Sequence, residues 1–387
     1  MSDRGTIQRC RRVLEGLLGV PATEGNRVDV LRNGDEIFPA MLDAIGDARS
    51  TIDMLTFIYW TGSIAQRMAN TLTDRADADV RVRVLLDAFG ARLMDRDLVQ
   101  RMEGAGATVR FFRPPTYWAR ISDSMHRTHR KVLICDEEVA FTGGVGIAEE
   151  WEGDARHPGE WRDTHFRFRG PAVDGLRAAF ANNWAETGPF FDDRDRFPEQ
   201  PRCGDSVVQI LRGEAQYGWS DVTTLKRTLV ELAQRRLRIT SAYFSPDDVM
   251  VQLLCRAAQR GVEVDVLVPG RHADKRVAQL AGEQAYERLL DTGIRIWNYQ
   301  RTMLHAKIVA VDGLIADVGS SNFNSRSFSE DDEVDAVIFD PEVAGILDSH
   351  FDEDLRDSEA IEPGRWDDRS VKQRALERLT ALIADRI

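Results

Sequence analysis

Apolar and polar positions along the chain follow one order of periods, and that order occurs twice. Residues 51–59 (TIDMLTFIY) and 237–244 (LRITSAYF) are rich in β-branched, aromatic and aliphatic side chains, which fit a buried pleated surface. Each is followed by a segment with apolar residues at helical spacing, 63–75 and 247–260. An alternating run then follows, 80–86 (VRVRVLL) and 262–268 (VEVDVLV). Strand, helix, strand is a βαβ signature. Both copies continue through a further helix, a short strand (108–112; 294–299), a His-x-Lys segment, a Gly-rich turn, another strand and a closing helix. The pattern predicts an α/β fold of two duplicated α-β-α units, mixed sheets flanked by helices, packed about a pseudo-twofold axis.

Around this repeat the chain divides into four stretches. Residues 1–25 read as a surface helix. Arg9, Arg11 and Arg12 precede Val13, Leu14, Leu17 and Leu18, but Glu15 interrupts an apolar part already too short for a signal peptide. Residues 26–200 and 201–360 hold the two repeats, joined by the Pro- and charge-rich stretch 189–202. In 361–387, Val371, Ala375, Leu379, Leu382 and Ile383 recur at helical spacing with Lys372, Arg374 and Arg378 between them. This predicts an amphipathic helix that docks on the core or on a membrane. The first repeat carries two extra loops, 113–128 and 147–162, on either side of its His-x-Lys segment. Their Tyr117, Trp118, Trp151 and Trp161 suggest contact with an apolar substrate or a membrane surface.

Composition narrows the classes. With 43% hydrophobic and 30% charged residues over 387 positions, the chain has the make-up of a globular protein large enough for two domains. Its formal charge of −13 disfavours a nucleic-acid partner, so any anionic ligand needs a local basic patch. Arg113, Arg120, Arg127, Arg130 and Lys131, against Asp123 alone, are the candidates. Cys10, Cys135, Cys203 and Cys255 show no C-x-x-C spacing, which fits a reducing cytoplasm better than a metal knuckle or a disulfide lattice. No window reaches the roughly 20 apolar residues of a membrane span.

The candidate chemistry lies where the repeat is most regular. His129-Arg130-Lys131 is followed after four residues by Asp136 and after six more by Gly143-Gly144. His305-Ala306-Lys307, Asp312 and Gly319-Ser320-Ser321-Asn322 keep the same spacing. In an extended segment residues i and i+2 share a face, so each histidine stands beside its lysine. Two such faces packed together offer two imidazoles and two ammonium groups to a phosphate. The lysines neutralise phosphoryl oxygens, one imidazole attacks phosphorus, and the other protonates the leaving oxygen.

The paired H-x-K-x4-D, each with its following G-G or G-S, resembles the phospholipase D superfamily. Asn33-Gly34-Asp35, Leu86-Asp87-Ala88-Phe89-Gly90, Trp161-Arg162-Asp163-Thr164, Tyr243-Phe244-Ser245-Pro246 and Asn324-Ser325-Arg326-Ser327-Phe328 are similar to its bacterial cardiolipin synthase branch, here without the N-terminal membrane helices of longer members. The resemblance implies phosphatidyl transfer through a phosphohistidine, with neither metal nor cofactor. It makes His129 the nucleophile and His305 the acid and then base, although the spacing leaves the two interchangeable. It also matches Asp163 and Glu333 to the carboxylates that orient the histidines.

Asp136 and Asp312 belong to the motif with scaffold roles, while Gly144, Ser320 and Asn322 are expected at the phosphate. Asn322 has only Gly146 as its counterpart, which predicts an asymmetric site. The expected partners are phosphatidylglycerol or a similar phospholipid and, peripherally, an anionic membrane at the inner face of the cell, with the protein a monomer that binds no nucleic acid. A hydrolytic phospholipase D, another phosphodiesterase or nuclease of the superfamily, and a lipid-binding relative without turnover are the alternatives.

Overall fold

The computed structural model describes residues 2–114, 126–189, 191–192, 194–196, 198–214 and 220–363. Tyr117, Trp118, Arg120 and Asp123 lie outside the described residues, as does the helix expected at 361–387 beyond residue 363. The first half runs α1 (Asp3–Leu18), β1 (Thr23–Arg32), α2 (Asn33–Asp47), β2 (Thr51–Thr56), α3 (Ser63–Asp77), β3 (Arg81–Asp87), α4 (Arg96–Gly104) and β4 (Thr108–Phe112). It continues with β5 (Val132–Cys135), β6 (Val139–Gly143), a single 3-10 turn (Glu149–Trp151), β7 (Thr164–Arg169) and α5 (Ala172–Ala185).

The second half opens with β8 (Ser206–Gly213), α6 (Asp221–Leu232), β9 (Arg236–Ser241), β10 (Phe244–Ser245), α7 (Asp248–Gln259), β11 (Glu263–Pro269), α8 (Arg276–Glu283), α9 (Tyr286–Leu290) and β12 (Arg295–Tyr299). It closes with β13 (Lys307–Val311), β14 (Ile315–Gly319), β15 (Phe323–Asn324), α10 (Ser325–Ser329), β16 (Glu333–Phe339), α11 (Pro341–Arg356) and β17 (Ser358–Ala360).

The strands form one continuous sheet in the order β17-β12-β11-β9-β13-β14-β16-β8-β1-β7-β6-β5-β2-β3-β4, apart from the small β10–β15 pair. Reading outward from the β8–β1 pair, both halves give an antiparallel meander and then three parallel strands fed by βα crossovers, and in the second half β17 adds one more antiparallel strand at the edge. The duplication read from the sequence is thus a mixed α/β sheet with a pseudo-twofold at its centre, where β1 and β8 pair antiparallel through Thr23–Val208 and Asn26–Ser206.

Three apolar layers hold this sheet. Ile37, Met68 and Leu86 belong to the core of the first half, and Leu225, Leu254 and Val266 to that of the second. A third core is shared: Phe112, Phe166, Phe168 and Trp184 from one half pack with Ile308, Val318, Val334 and Leu347 from the other. Gly175 lets α5 lie against β8 across this seam, since a Cβ there would stand 2.6 Å from Ile210 Cβ. The N-terminal helix is not a free surface element. Its buried stripe, Cys10, Leu14 and Leu18, joins the core of the second half.

The two motif aspartates tie down the sheet at the end remote from the histidines. Asp136 and Asp312 sit in left-handed turns, with φ of 53° and 57°. Asp136 accepts from the N–H groups of Arg49, Ser50 and Thr51. Asp312 does the same for Gln234, Arg235 and Arg236, at 2.7–3.1 Å. Each therefore pins its antiparallel hairpin to the start of the neighbouring parallel strand.

Candidate active site

His129 and His305 precede β5 and β13, which run antiparallel to β2 and β9, so both stand at the C-terminal ends of the parallel strands. Backbone bonds across the seam bring them together. His129 N donates to Asp332 O (2.9 Å) and Asp332 N to Arg127 O (2.8 Å). His305 N donates to Arg162 O (2.7 Å) and Arg162 N to Met303 O (2.8 Å).

The carboxylates then cross over. His129 Nδ1 lies 3.0 and 3.1 Å from the two oxygens of Glu333, the first residue of β16 in the other half. His305 Nδ1 lies 2.8 Å from Asp163 Oδ2, just before β7 in the first half. An imidazole whose Nδ1–H is held by a carboxylate presents an Nε2 lone pair, the form needed for attack on an electrophile. Lys131 Nζ donates to His129 O (2.7 Å), and Lys307 Nζ donates to His305 O and lies 3.2 Å from His305 Nε2.

Burial and crowding set the charges. Burial, partly offset by Glu333 and reinforced by Lys131 and Lys307, pushes His129 down to about 4. Burial and the Lys307 ammonium, against Asp163, push His305 down to about 3. Burial also lowers Lys131 to about 7 and Lys307 to about 8, although Glu333 and Asp163 favour their charged forms. Burial alone would raise the two carboxyls, yet the bond and charge of His305, then Lys307 and Trp151, hold Asp163 well below the usual carboxylate range. His129, Lys131 and Ser320 do the same for Glu333. The site is thus rich in poorly solvated cations, an environment that a bound anion relieves and in which it favours protonation of an imidazole.

The packing gives the expected phosphate-site and basic-run residues distinct surroundings. Ser320 Oγ donates to Glu333 Oε2 (2.5 Å) and accepts from Val334 N (3.0 Å), so its hydroxyl is committed to the carboxylate and not to a phosphate. Gly144 makes room for Asp163: a Cβ there would be 2.3 Å from Oδ1. Asn322 donates its N–H to Ser327 Oγ, and its buried Oδ1 has no partner among the described residues. The described arginines of the basic run are structural, and of that run Lys131 alone among the described residues stands beside a motif histidine. Arg127 is buried on Asp87 (2.9 Å), Arg130 is bound to main-chain carbonyls, and Arg113 pairs with Glu186 (3.0 Å). Trp151 is buried beside His305, not offered to a membrane.

Known proteins resemble this chain over most of its length. The model of the family described as cardiolipin synthase, PLD-like domain, matches residues 41–150 and 227–355. The chain is 31% identical over 385 residues to cardiolipin synthase 1 of Bacillus cereus, covering 96% of this chain and 75% of that protein. The chain belongs to the cardiolipin synthase family of phospholipase D-like proteins. Cardiolipin synthase of Geobacillus thermodenitrificans is 30% identical over 94% of this chain and 73% of its own. Among solved structures, phosphatidylserine synthase of Haemophilus influenzae superposes with a TM-score of 0.71 at 13% identity over 97% of both chains. Polyphosphate kinase of Porphyromonas gingivalis gives 0.58 at 14% identity, over 94% of this chain and 53% of that one. Both likenesses concern the fold.

This cardiolipin synthase-like protein is an enzyme of the phosphatidyltransferase type, and around its candidate site stand residues that the sequence named in other roles, Trp151, Trp161, Arg130 and Tyr243, or gave no role, Phe57. Trp151 Nε1 donates to Asp163 Oδ2 at 2.9 Å. Arg130, the variable residue of its motif, is fully buried and joins Ala179 O, Asn183 Oδ1, Gly213 O and Glu333 O. Phe57 sets its ring 5.3 Å from that of His129, and Trp161 and Tyr243 wall His305 at 5.3 and 6.5 Å. None of these repeats between the halves, so the internal duplication could not flag them. No helix among the described residues is long and apolar enough to cross a membrane.

Proposed function

We propose that the protein transfers a phosphatidyl group from one phosphatidylglycerol to a second, giving cardiolipin and glycerol through a phosphohistidine. The observation that carries the reading is the crossed pair of carboxylate-held imidazoles, each with a buried lysine at its side. His129 is the better placed nucleophile, since 13% of its side chain is exposed against 5% for His305. Its Nε2 attacks phosphorus, a P–N bond forms, the P–O bond to glycerol breaks, and His305 gives its Nε2 proton to the departing oxygen. His305 then takes the proton of an incoming lipid hydroxyl, that oxygen bonds to phosphorus, and His129 leaves. Lys131 and Lys307 offset charge on the phosphoryl oxygens throughout. Exposed Phe89 and Leu93 follow β3 on the same side of the sheet as the histidines, and they support peripheral contact with a lipid surface.

Purified protein given labelled phosphatidylglycerol in mixed micelles is expected to yield cardiolipin and glycerol. His129→Ala and His305→Ala are each expected to lose at least about a thousandfold in rate. Phosphatidic acid as the sole lipid product would make water the acceptor and the protein a hydrolase.

A further inference from the structure

The two orienting carboxylates are supported by donors of different kinds, and the difference is built into the backbone around them. Glu333 receives its second side-chain hydrogen bond from a hydroxyl, Ser320 Oγ. The position matching Ser320 in the first half is Gly144, where no side chain fits beside Asp163. The missing donor is supplied from elsewhere. The indole of Trp151, on the 3-10 turn inserted after β6, gives its N–H to Asp163 Oδ2, the same oxygen that holds His305 Nδ1 at 2.8 Å.

The indole is confined on several sides. Trp151 is 1% exposed, and Trp161 packs on it at 4.5 Å. Gly146 stands where the other half has Asn322, and a Cβ at this glycine would meet Ile58 Cβ at 2.8 Å and Trp151 Cζ3 at 3.2 Å. Gly34 passes so close to the Trp151 carbonyl oxygen that a Cβ there would lie 2.0 Å from it. Two departures of the first half from the second, Gly144 and Gly146, thus leave volume for one carboxylate and one indole. Trp151 also turns edge-on to His305, with ring centroids 5.1 Å apart and planes at 82°.

We propose that Trp151 is a positioning residue for His305, acting through Asp163. The assignment rests on the reading of His305 as the group that protonates the leaving alcohol. The indole N–H fixes Asp163 Oδ2 as the acceptor of His305 Nδ1–H, which leaves Nε2 as the ring atom that faces phosphorus and delivers the proton. The indole is also fixed in direction, unlike a rotating hydroxyl. It holds Asp163 and the imidazole in one orientation toward phosphorus.

The test compares two leaving groups in single-turnover measurements. Glycerol leaving from phosphatidylglycerol needs a proton as its P–O bond breaks, whereas 4-nitrophenolate leaving from phosphatidyl-4-nitrophenol departs as the anion. Trp151→Phe keeps a ring and removes the donor. It is expected to slow glycerol release about tenfold and nitrophenolate release no more than about twofold. The nitrophenyl rate also reports whether the variant is folded.

Ser320→Ala, which acts on Glu333 and the nucleophile, is expected to slow both substrates alike. Equal losses on both substrates in Trp151→Phe, or no loss on either, would overturn the assignment while leaving the phosphatidyltransferase reading intact. A wild-type protein that releases neither alcohol would overturn that reading and this assignment with it.

Discussion

At the scale of single residues, the site combines two neutral imidazoles with two lysines that sit close to losing their charge. The histidines and lysines were legible in the sequence because each pair occurs twice at one spacing, whereas Asp163 and Glu333 stand at different distances after their histidines and were expected only from the family resemblance. The pairing was not legible, since spacing along one strand says nothing about which carboxylate arrives from across the seam. The lysines give a pH prediction. Both titrate below the ordinary 10.5, near 7 for Lys131 and near 8 for Lys307. The unfolded chain therefore binds more protons from about pH 7 to about pH 10, and these two groups make stability rise with pH across that window. An anion has the opposite dependence, because it favours the ammonium forms. Inorganic phosphate is expected to raise Tm more at about pH 6.5 than at about pH 9. Equal shifts at the two values would mean that the lysines keep their charge throughout.

At the scale of elements, strand and helix positions were readable where period and burial agree. The alternating runs at 80–86 and 262–268 became β3 and β11 within a residue, and 108–112 is β4 itself. The apolar run at 51–59 overreached. β2 stops at Thr56 because Phe57 turns out of the sheet to pack on His129, and a buried wall reads like a buried strand. What the motif aspartates do also belongs to this scale. Asp312→Ala would orphan three main-chain N–H groups and place a Cβ without a hydrogen-bonding side chain at positive φ, a loss of about 3 kcal/mol in denaturant unfolding. Asp312→Asn keeps an acceptor oxygen and is expected to lose about 1 kcal/mol. Identical losses would assign the effect to the turn conformation alone.

At the scale of the whole molecule, duplication was plain in the sequence but its joinery was not. Nothing in residues 23–32 or 206–213 announces that β1 and β8 pair across the centre, and α1 gives no sign that it will pack on the second half, because a helical stripe identifies a buried face and not what covers it. The consequence for the proposed function is that a single chain brings both His-Lys pairs and both crossing carboxylates together. A mixture of His129→Ala and His305→Ala proteins is expected to stay inactive after prolonged incubation, as measured by cardiolipin formation. Recovery of activity would mean that halves exchange between chains.

The crossing of the carboxylates has a kinetic meaning as well. One bond runs over the seam in each direction, so displacing one half against the other by about an ångström disturbs both together. Nucleophile and proton donor lose their alignment in concert. On the proposed mechanism a sheared molecule is therefore silent rather than half-competent, and it does not load a phosphoryl group that it is then unable to discharge.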